Sequence, residues 1–322
     1  MREWQPDEAS HVAESMKKSM SMRIIFYSVI LLFLVLFCLW AHKSMIDIRP
    51  KVKRPFLGTK ALQLIKELEA RLTNHVVVLA EDIGPRNVVN PRKLDAACDF
   101  IRSFWQDIGY EVSAGSYRVS DIECYNLSVE IHGKSKPDES VIVGAHYDTV
   151  SYSPGANDNG SAVAALLELS RLFRGMSIGK TMRFVAFANE EPPYFKTRQM
   201  GSLVYAKGCR KRNENITAMV CLETIGYYRE APKTQKYPFP LKWLYPDTGN
   251  FIAVVGNLGS KSLVKYFTRS FMEESDFPVE CAAAFGFISG IDWSDHWSFW
   301  ECGYPALMIT DTALFRLRVN VE

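Results

Sequence analysis

V-I-V-G-A-H-Y-D-T-V, residues 141–150, decides how the chain is read. Val141 to Ala145 form a short, continuously apolar run, the pattern of a strand covered on both faces. The run leads into His146 and Asp148, and ten residues after Asp148 comes Asp158, in the Gly- and Asn-rich turn G-A-N-D-N-G-S. A helical pattern follows. A second apolar run then ends in F-A-N-E-E, with Glu190 and Glu191, and a third, M-V-C-L-E, ends in Glu223. Three expected strands therefore deliver imidazole and carboxylate groups at their carboxyl ends. Open α/β sheets gather ligands at that edge, and these side chains are the donors of a metal site.

Working outward, Lys60 to Ala80 is expected to be an amphipathic helix, with Leu62, Ile65, Leu68, Leu72 and Val76 near helical spacing. Pro91 opens a helix running to about Ile108, which Gly109 closes. Val112–Val119 and Tyr125–Ile131 read as strands. Ser161–Phe173 is an Ala- and Leu-rich helix, Arg183–Ala188 a strand and Gln199–Lys207 a short helix. Met219–Leu222 and Phe251–Val255 read as strands, Ser262–Glu274 as a helix and Ala306–Thr310 as the last strand. This alternation predicts an α/β fold with a mostly parallel central sheet flanked by helices. An apolar content of 48% is enough for a sizeable core.

The N-terminus is a separate object. Ile24 to Ala41 is uncharged over 18 residues. As a helix rising about 1.5 Å per residue it spans roughly 27 Å, close to the hydrocarbon thickness of a bilayer. A cleaved signal peptide is the competing reading, but the run exceeds a usual h-region and Leu39-Trp40-Ala41 is a poor cleavage site. The expected organisation is a disordered tail over residues 1–22, a transmembrane anchor over 23–42, a linker over 43–59 and one catalytic domain over 60–322. Lys17, Lys18 and Arg23 precede the span, and Lys43, Arg49, Lys51, Lys53 and Arg54 follow it. The charge count favours a cytoplasmic C-terminal side. That rule weakens before a large domain, and the expectation is an extracytoplasmic domain with orientation left open.

Net charge is +2, with no basic stripe carrying interleaved aromatics, so nucleic acid is not an expected partner. The six cysteines outside the span form no C-x-x-C pair and read as free, buried thiols. Asn126-Leu-Ser and Asn215-Ile-Thr are sequons that matter only in a glycosylating pathway.

The chemistry follows from the residue types. His146 offers a neutral imidazole nitrogen to zinc, and Asp148 is placed to fix the ring's tautomer. Asp158 sits in a turn that lets a carboxylate approach a metal closely, and its two oxygens can bridge two ions. Glu190 and Glu191 are adjacent, so in an extended segment they point in opposite directions. One can bind metal while the other faces an attacking water as general base. Glu223 supplies a further oxygen ligand.

These motifs, with M-G-S-L-V-Y-A, C-L-E-T-I-G-Y-Y and W-S-D-H-W-S-F-W-E-C-G-Y-P-A-L-M-I-T-D-T-A, resemble the M28 family of zinc metallopeptidases from about residue 60 to 315. That family includes glutamate carboxypeptidases and has the glutaminyl cyclases as relatives. The resemblance implies a phosphorylase/hydrolase-like α/β fold, usually two zinc ions, and a peptide or small amide substrate. It implies that His146 and Glu223 hold one zinc, Asp158 bridges and Glu191 holds the other. Glu190 would be the general base, and Asp148 would orient His146.

One departure stands out. In the family a short H-Y-H-T-like motif, supplying the last zinc-ligating His, and a C-terminal helix follow the final strand. Here the sequence reads T-D-T-A-L-F-R-L-R-V-N-V-E, and no His follows His296. The expectation is a C-terminally incomplete domain whose second zinc has Asp158 and Glu191 but lacks its imidazole. His296, in S-D-H-W, occupies a different family position. Three readings stay open: a membrane-anchored aminopeptidase, an inactive binding or scaffold domain, and a glutaminyl-cyclase-like acyltransferase. A serine hydrolase built on Ser294, Asp295 and His296 is weak, because no G-x-S-x-G elbow is present.

Overall fold

The computed structural model describes residues 6–44, 59–237 and 245–316, in two compact units, residues 1–47 and 48–322. The described residues of the first unit form one helix, α1 (Pro6–Ser44). Its Ser15–Leu36 segment is long and apolar enough to cross a membrane, a test that a signal sequence also passes. The helix runs through most of the segment expected as a disordered tail. Pro6 sits at its first position, and the residues to Met22 are rich in Ala, Glu, Met and Lys with no further Gly or Pro. Most of the expected linker, 45–58, and the last residues, 317–322, lie outside the described residues.

The second unit is built on a sheet of strands β1 (Ser113–Val119), β2 (Ile122–Ile131), β3 (Lys136–His146), β4 (Lys180–Phe187), β5 (Asn215–Glu223), β6 (Ile252–Asn257), β7 (Val279–Ala284) and β8 (Ala306–Thr310). Among the described residues the order is β1-β2-β4-β3-β5-β8-β6-β7. The ladders β3/β4, β3/β5, β5/β8 and β6/β7 are parallel, while β1/β2, β2/β4 and β6/β8 are antiparallel. The parallel core matches the expectation, and the antiparallel pairs at both flanks make the sheet mixed. Helices α2 (Thr59–Val77), α3 (Pro91–Asp107), α4 (Ala162–Phe173), α5 (Gly201–Lys211), α6 (Lys261–Glu274) and α7 (His296–Glu301) flank it.

Helical spacing explains the docking of α3. Leu94, Ala97, Cys98, Ile101 and Trp105 recur on one face and are buried. Burying the Leu and Ile side chains stabilises by about 1.5–3 kcal/mol each. Trp105 Nε1 donates to Ser170 Oγ on α4 at 2.9 Å. Helix α4 also carries buried Glu168, which accepts from Arg71 at 3.0 Å and sits 3.1 Å from His75 Nε2, both on α2. On the opposite face Phe187 packs edge-on against Tyr205 of α5 and Phe299 of α7.

Two elements were not expected. Strand β7, V-E-C-A-A-A, carries one β-branched residue and no aromatic, a weak strand signal. Helix α7, at six residues, is too short for a periodic pattern. The described cysteines are free thiols, five of them buried and Cys302 partly exposed. Asn126 is buried, donating to Gly201 O at 2.8 Å and accepting from Ala188 N at 3.2 Å. Of the two sequons at Asn126 and Asn215, Asn215 is the exposed one.

Candidate metal centre

Parallel pairing sets the site. His146 ends β3 in register with Phe187 at the end of β4, and Glu223 ends β5 beside Thr310 of β8. The three strand ends therefore lie along one edge. Asp158 reaches that edge from the turn after β3. Gly155 begins the turn with φ 66°, and a Cβ there would come within 2.6 Å of Asp158 O, so the turn requires glycine. Buried Asn159 fastens the turn to β5: its Nδ2 donates to Leu222 O at 3.1 Å and its Oδ1 accepts from Thr224 N at 2.9 Å.

His146 is fully buried. Its Nε2 lies 3.2 Å from Glu223 Oε2, 3.5 Å from Asp158 Oδ1 and 3.7 Å from Glu190 Oε2. Its Nδ1 lies 3.5 Å from Asp148 Oδ1. Neither ring nitrogen has a hydrogen-bond partner among the described residues, which is rare for buried polar atoms. One donor atom from each of His146, Asp158 and Glu223 falls within 4.8 Å of the others. An orphaned imidazole facing convergent carboxylates fits a divalent cation such as zinc.

Asp148 stands beside the ring as expected, but its hydrogen bonds go elsewhere. Its two oxygens accept from the backbone N–H groups of Glu190, at 3.0 Å, and Glu191, at 3.1 Å. It thus fixes the turn that presents the adjacent glutamates. Glu190 is buried near His146, and it and Glu191 line one cavity together with Asp158.

The electrostatics follow from burial and crowding. Burial, followed by the field of Asp158, raises the Glu191 carboxyl to about 8. Burial holds Glu190 well above the usual carboxylate range; the His146 imidazole opposes this, and Glu223 and Glu191 add to it. Burial alone would lower His146, but the carboxylates of Glu190 and Glu223 carry it well above its ordinary value. The cluster therefore holds protons that a cation would displace.

Sequence reasoning missed Arg86. Its buried guanidinium donates to Tyr147 O at 2.6 Å, Leu79 O at 3.0 Å, Pro154 O at 2.8 Å and Gly155 O at 3.1 Å. It ties together the two loops that carry His146 and Asp158. Burial lowers it to about 10, against the opposing fields of Asp148, Asp158 and Glu191, so it stays cationic at neutral pH. Ser294 was considered only as a nucleophile. Its hydroxyl donates to Glu223 Oε2 at 2.6 Å and lies 3.2 Å from Cys221 Sγ, a supporting role rather than a triad. His296 is buried, with Nε2 2.8 Å from Ile291 O and its ring edge-on to Trp300. Burial lowers it to about 4, which keeps it neutral at physiological pH.

Beside the cluster opens a cavity of about 270 Å³. Phe251, Val255 and Met308 are among its apolar walls. Its charged lining among the described residues is Asp158, Glu190, Glu191, Glu223 and Glu280, with no Lys, Arg or His.

Comparison with known proteins agrees with this architecture. An uncharacterized protein of Escherichia coli K12, YfbL, is 37% identical over 255 residues, 76% of this chain and 77% of that protein. The crystal structure of BSAP, a zinc aminopeptidase from Bacillus subtilis, superposes with a TM-score of 0.60 at 14% identity, covering 77% of this chain and 87% of that one. A Fimbriiglobus ruber glutaminyl cyclase shares the fold at a TM-score of 0.52 and 19% identity, covering 83% and 88%. The family model described as Peptidase family M28 matches residues 126–316, the stretch that carries every residue of the cluster, and the chain belongs to that family.

Proposed function

We propose that this chain is a zinc-dependent exopeptidase of the aminopeptidase type, anchored to a membrane by its N-terminal helix. The observation that carries the reading is the charge of the cavity. Its described charged lining is acidic throughout, which suits a substrate's protonated α-amine and repels a free α-carboxylate. His146 and Glu223 would hold one ion, Asp158 would face both positions, and Glu191 would hold the second. The second position has carboxylates but no imidazole among the described residues, and we take it as the weaker.

Bound zinc supplies Lewis-acid chemistry, making a water acidic near neutral pH and drawing charge from a carbonyl oxygen. Glu190 takes the proton from that water on its carboxylate and returns it to the leaving amine. Its carboxyl lies buried beside His146, with Oε2 3.7 Å from Nε2, and burial raises it above the usual carboxylate range. Asp148 holds the backbone of Glu190 and Glu191 in place and orients His146.

The single tight trio of His146, Asp158 and Glu223 also suits a one-zinc acyltransferase of the glutaminyl-cyclase kind. One experiment separates the readings: zinc content, hydrolysis of aminoacyl chromogenic substrates and cyclisation of an N-terminal glutamine peptide are measured on the same full-length sample. We expect hydrolysis without cyclisation, and Glu190→Gln should abolish turnover at unchanged zinc content. Cyclisation alone would move the assignment to the acyltransferase. Two tightly held zincs per chain would refute the weak second position.

A further inference from the structure

The backbone turns where β4 hands over to the two glutamates. Phe187 ends the strand, and two residues later Asn189 takes a left-handed conformation with φ 58°. Asparagine enters that region more readily than most residues that carry a Cβ. The turn decides where the next side chains go. Glu190 N and Glu191 N both donate to Asp148, and Glu190 Oε2 comes to 3.7 Å from His146 Nε2.

One hydroxyl holds this turn from the edge of the sheet. Tyr117 lies on β1, the edge strand, and is half-buried while residues 113–116 and Arg118 beside it are exposed. Its Oη donates to Ala188 O at 3.0 Å and accepts from Asn189 Nδ2 at 3.1 Å. Burial raises the phenol well above its ordinary value, with Cys124 and Asp148 adding to it and Asn189 opposing it, so the hydroxyl keeps the proton that it donates. Cys124, opposite Tyr117 in the β1/β2 ladder, also reaches Asn189, as a weaker sulfur partner. The two residues before Glu190 therefore share one oxygen. Packing around that oxygen is close: Ala188 O also accepts from Gly201 N at 2.9 Å, and a Cβ on Gly201 would come within 2.2 Å of Ala188 O and 2.7 Å of Tyr117 Oη. Asp148 fixes only the amides of the glutamates. Without a hold on residues 188 and 189 they would swing about that anchor, and a displacement of about 1 Å at a catalytic group costs on the order of 100-fold in rate.

We infer that Tyr117 is a positioning residue: its hydroxyl, acting through Ala188 and the left-handed Asn189, aims the Glu190 carboxylate at the reacting water. The inference rests on the proposed function, in which Glu190 is the base. The test uses the full-length, zinc-supplied protein. Tyr117→Phe keeps the ring and removes the hydroxyl, and Asn189→Gly keeps the left-handed turn and removes the side chain. In hydrolysis of an aminoacyl p-nitroanilide, each variant should lower kcat at least tenfold, with KM within about threefold of wild type and zinc content unchanged. The double variant should fall no more than about threefold below the poorer single variant, because both changes break one shared contact. Amide exchange followed by mass spectrometry should quicken at least tenfold at Glu190 and Glu191. A kcat within twofold of wild type overturns the inference, and so do a loss carried by KM or zinc content and fully additive losses in the double variant. If Tyr117→Phe fails to fold, Asn189→Gly decides alone. If the wild type hydrolyses nothing, the peptidase reading falls and exchange decides: faster exchange confined to residues 188–191 retains the hold on Glu190, and any other pattern overturns it.

Discussion

Replacing Arg86 with lysine keeps the charge and removes the fork. The guanidinium reaches four carbonyls, on Leu79, Tyr147, Pro154 and Gly155, at 3.1 Å or less. An ammonium has three donors on a single atom. Placed where Nη1 now sits, it keeps Leu79 O and Pro154 O and loses Tyr147 O and Gly155 O. Two lost hydrogen bonds to a charged group, at about 1.5–3 kcal/mol each, amount to roughly 3–6 kcal/mol. For a folded unit of this size that lowers Tm by roughly 10 °C. The loss is not confined to stability. Tyr147 follows His146 directly, and Gly155 opens the turn that carries Asp158, so both loops loosen. Zinc affinity should fall about 10–100-fold, the usual effect of removing a partner that orients ligands. Thermal melting of the metal-free protein and zinc competition against a chromophoric chelator read the two effects separately. A melting temperature within about 2 °C of wild type together with unchanged zinc affinity would show that Arg86 does not tie the loops.

Three further outcomes follow from the same geometry. Asp148→Asn sets an amide N–H₂ against the backbone N–H of Glu190 or Glu191. Unfolding free energy should drop by about 2–4 kcal/mol and zinc affinity should weaken, as urea titration and chelator competition would report; unchanged values count against the double anchor. Ser294→Ala removes the 2.6 Å hydrogen bond to Glu223 and should weaken zinc binding about tenfold at little cost in melting temperature, whereas a fall in stability alone would make the contact purely structural. The Glu191 carboxyl, raised from 4.5 to about 8 by burial and by Asp158, keeps a proton in the folded, metal-free protein that the unfolded chain has released. Its contribution to stability is full below pH 4.5 and is lost as pH rises through 8, so the metal-free protein should melt lower near pH 8.5 than near pH 6, and added zinc should flatten or reverse that slope.

The cluster was legible in the sequence because its members end apolar runs, and a parallel sheet carries run ends to one edge. His146, Glu190 and Glu223 meet for that reason, and Asp158 joins them from the Gly- and Asn-rich turn after β3. The parts that hold them in place were not legible. Arg86 lies in an unremarkable G-P-R segment, and its partners on Tyr147 and Gly155 are 61 and 69 residues away. They are backbone carbonyls, which leave no pattern in side-chain identity. Asp148 was expected as a partner of His146, but its hydrogen bonds run to amides 42 and 43 residues on. Strand β7 escaped notice because alanines and one cysteine fill it. Asn126 matched a glycosylation motif while serving as a buried clamp between β2, β4 and α5.

These supporting contacts limit the cost of burying so much acid. Carboxylates this close repel, and burial removes the water that would screen them. Three devices offset the repulsion. Arg86 supplies a fixed cation that backbone carbonyls, rather than the acids, hold in place. Backbone amides neutralise part of the charge on Asp148 and on Asp311, which accepts from Tyr227 N at 2.9 Å and Ala313 N at 2.8 Å. Protons retained on Glu190 and Glu191 do the rest. The first two devices remain when a cation binds, and the third is exchanged for it. Affinity for a divalent ion is therefore set against proton loss from groups whose pKa values the fold has raised. It must rise with pH across neutrality, more steeply than for an exposed carboxylate pair, whose protons are gone well below pH 6.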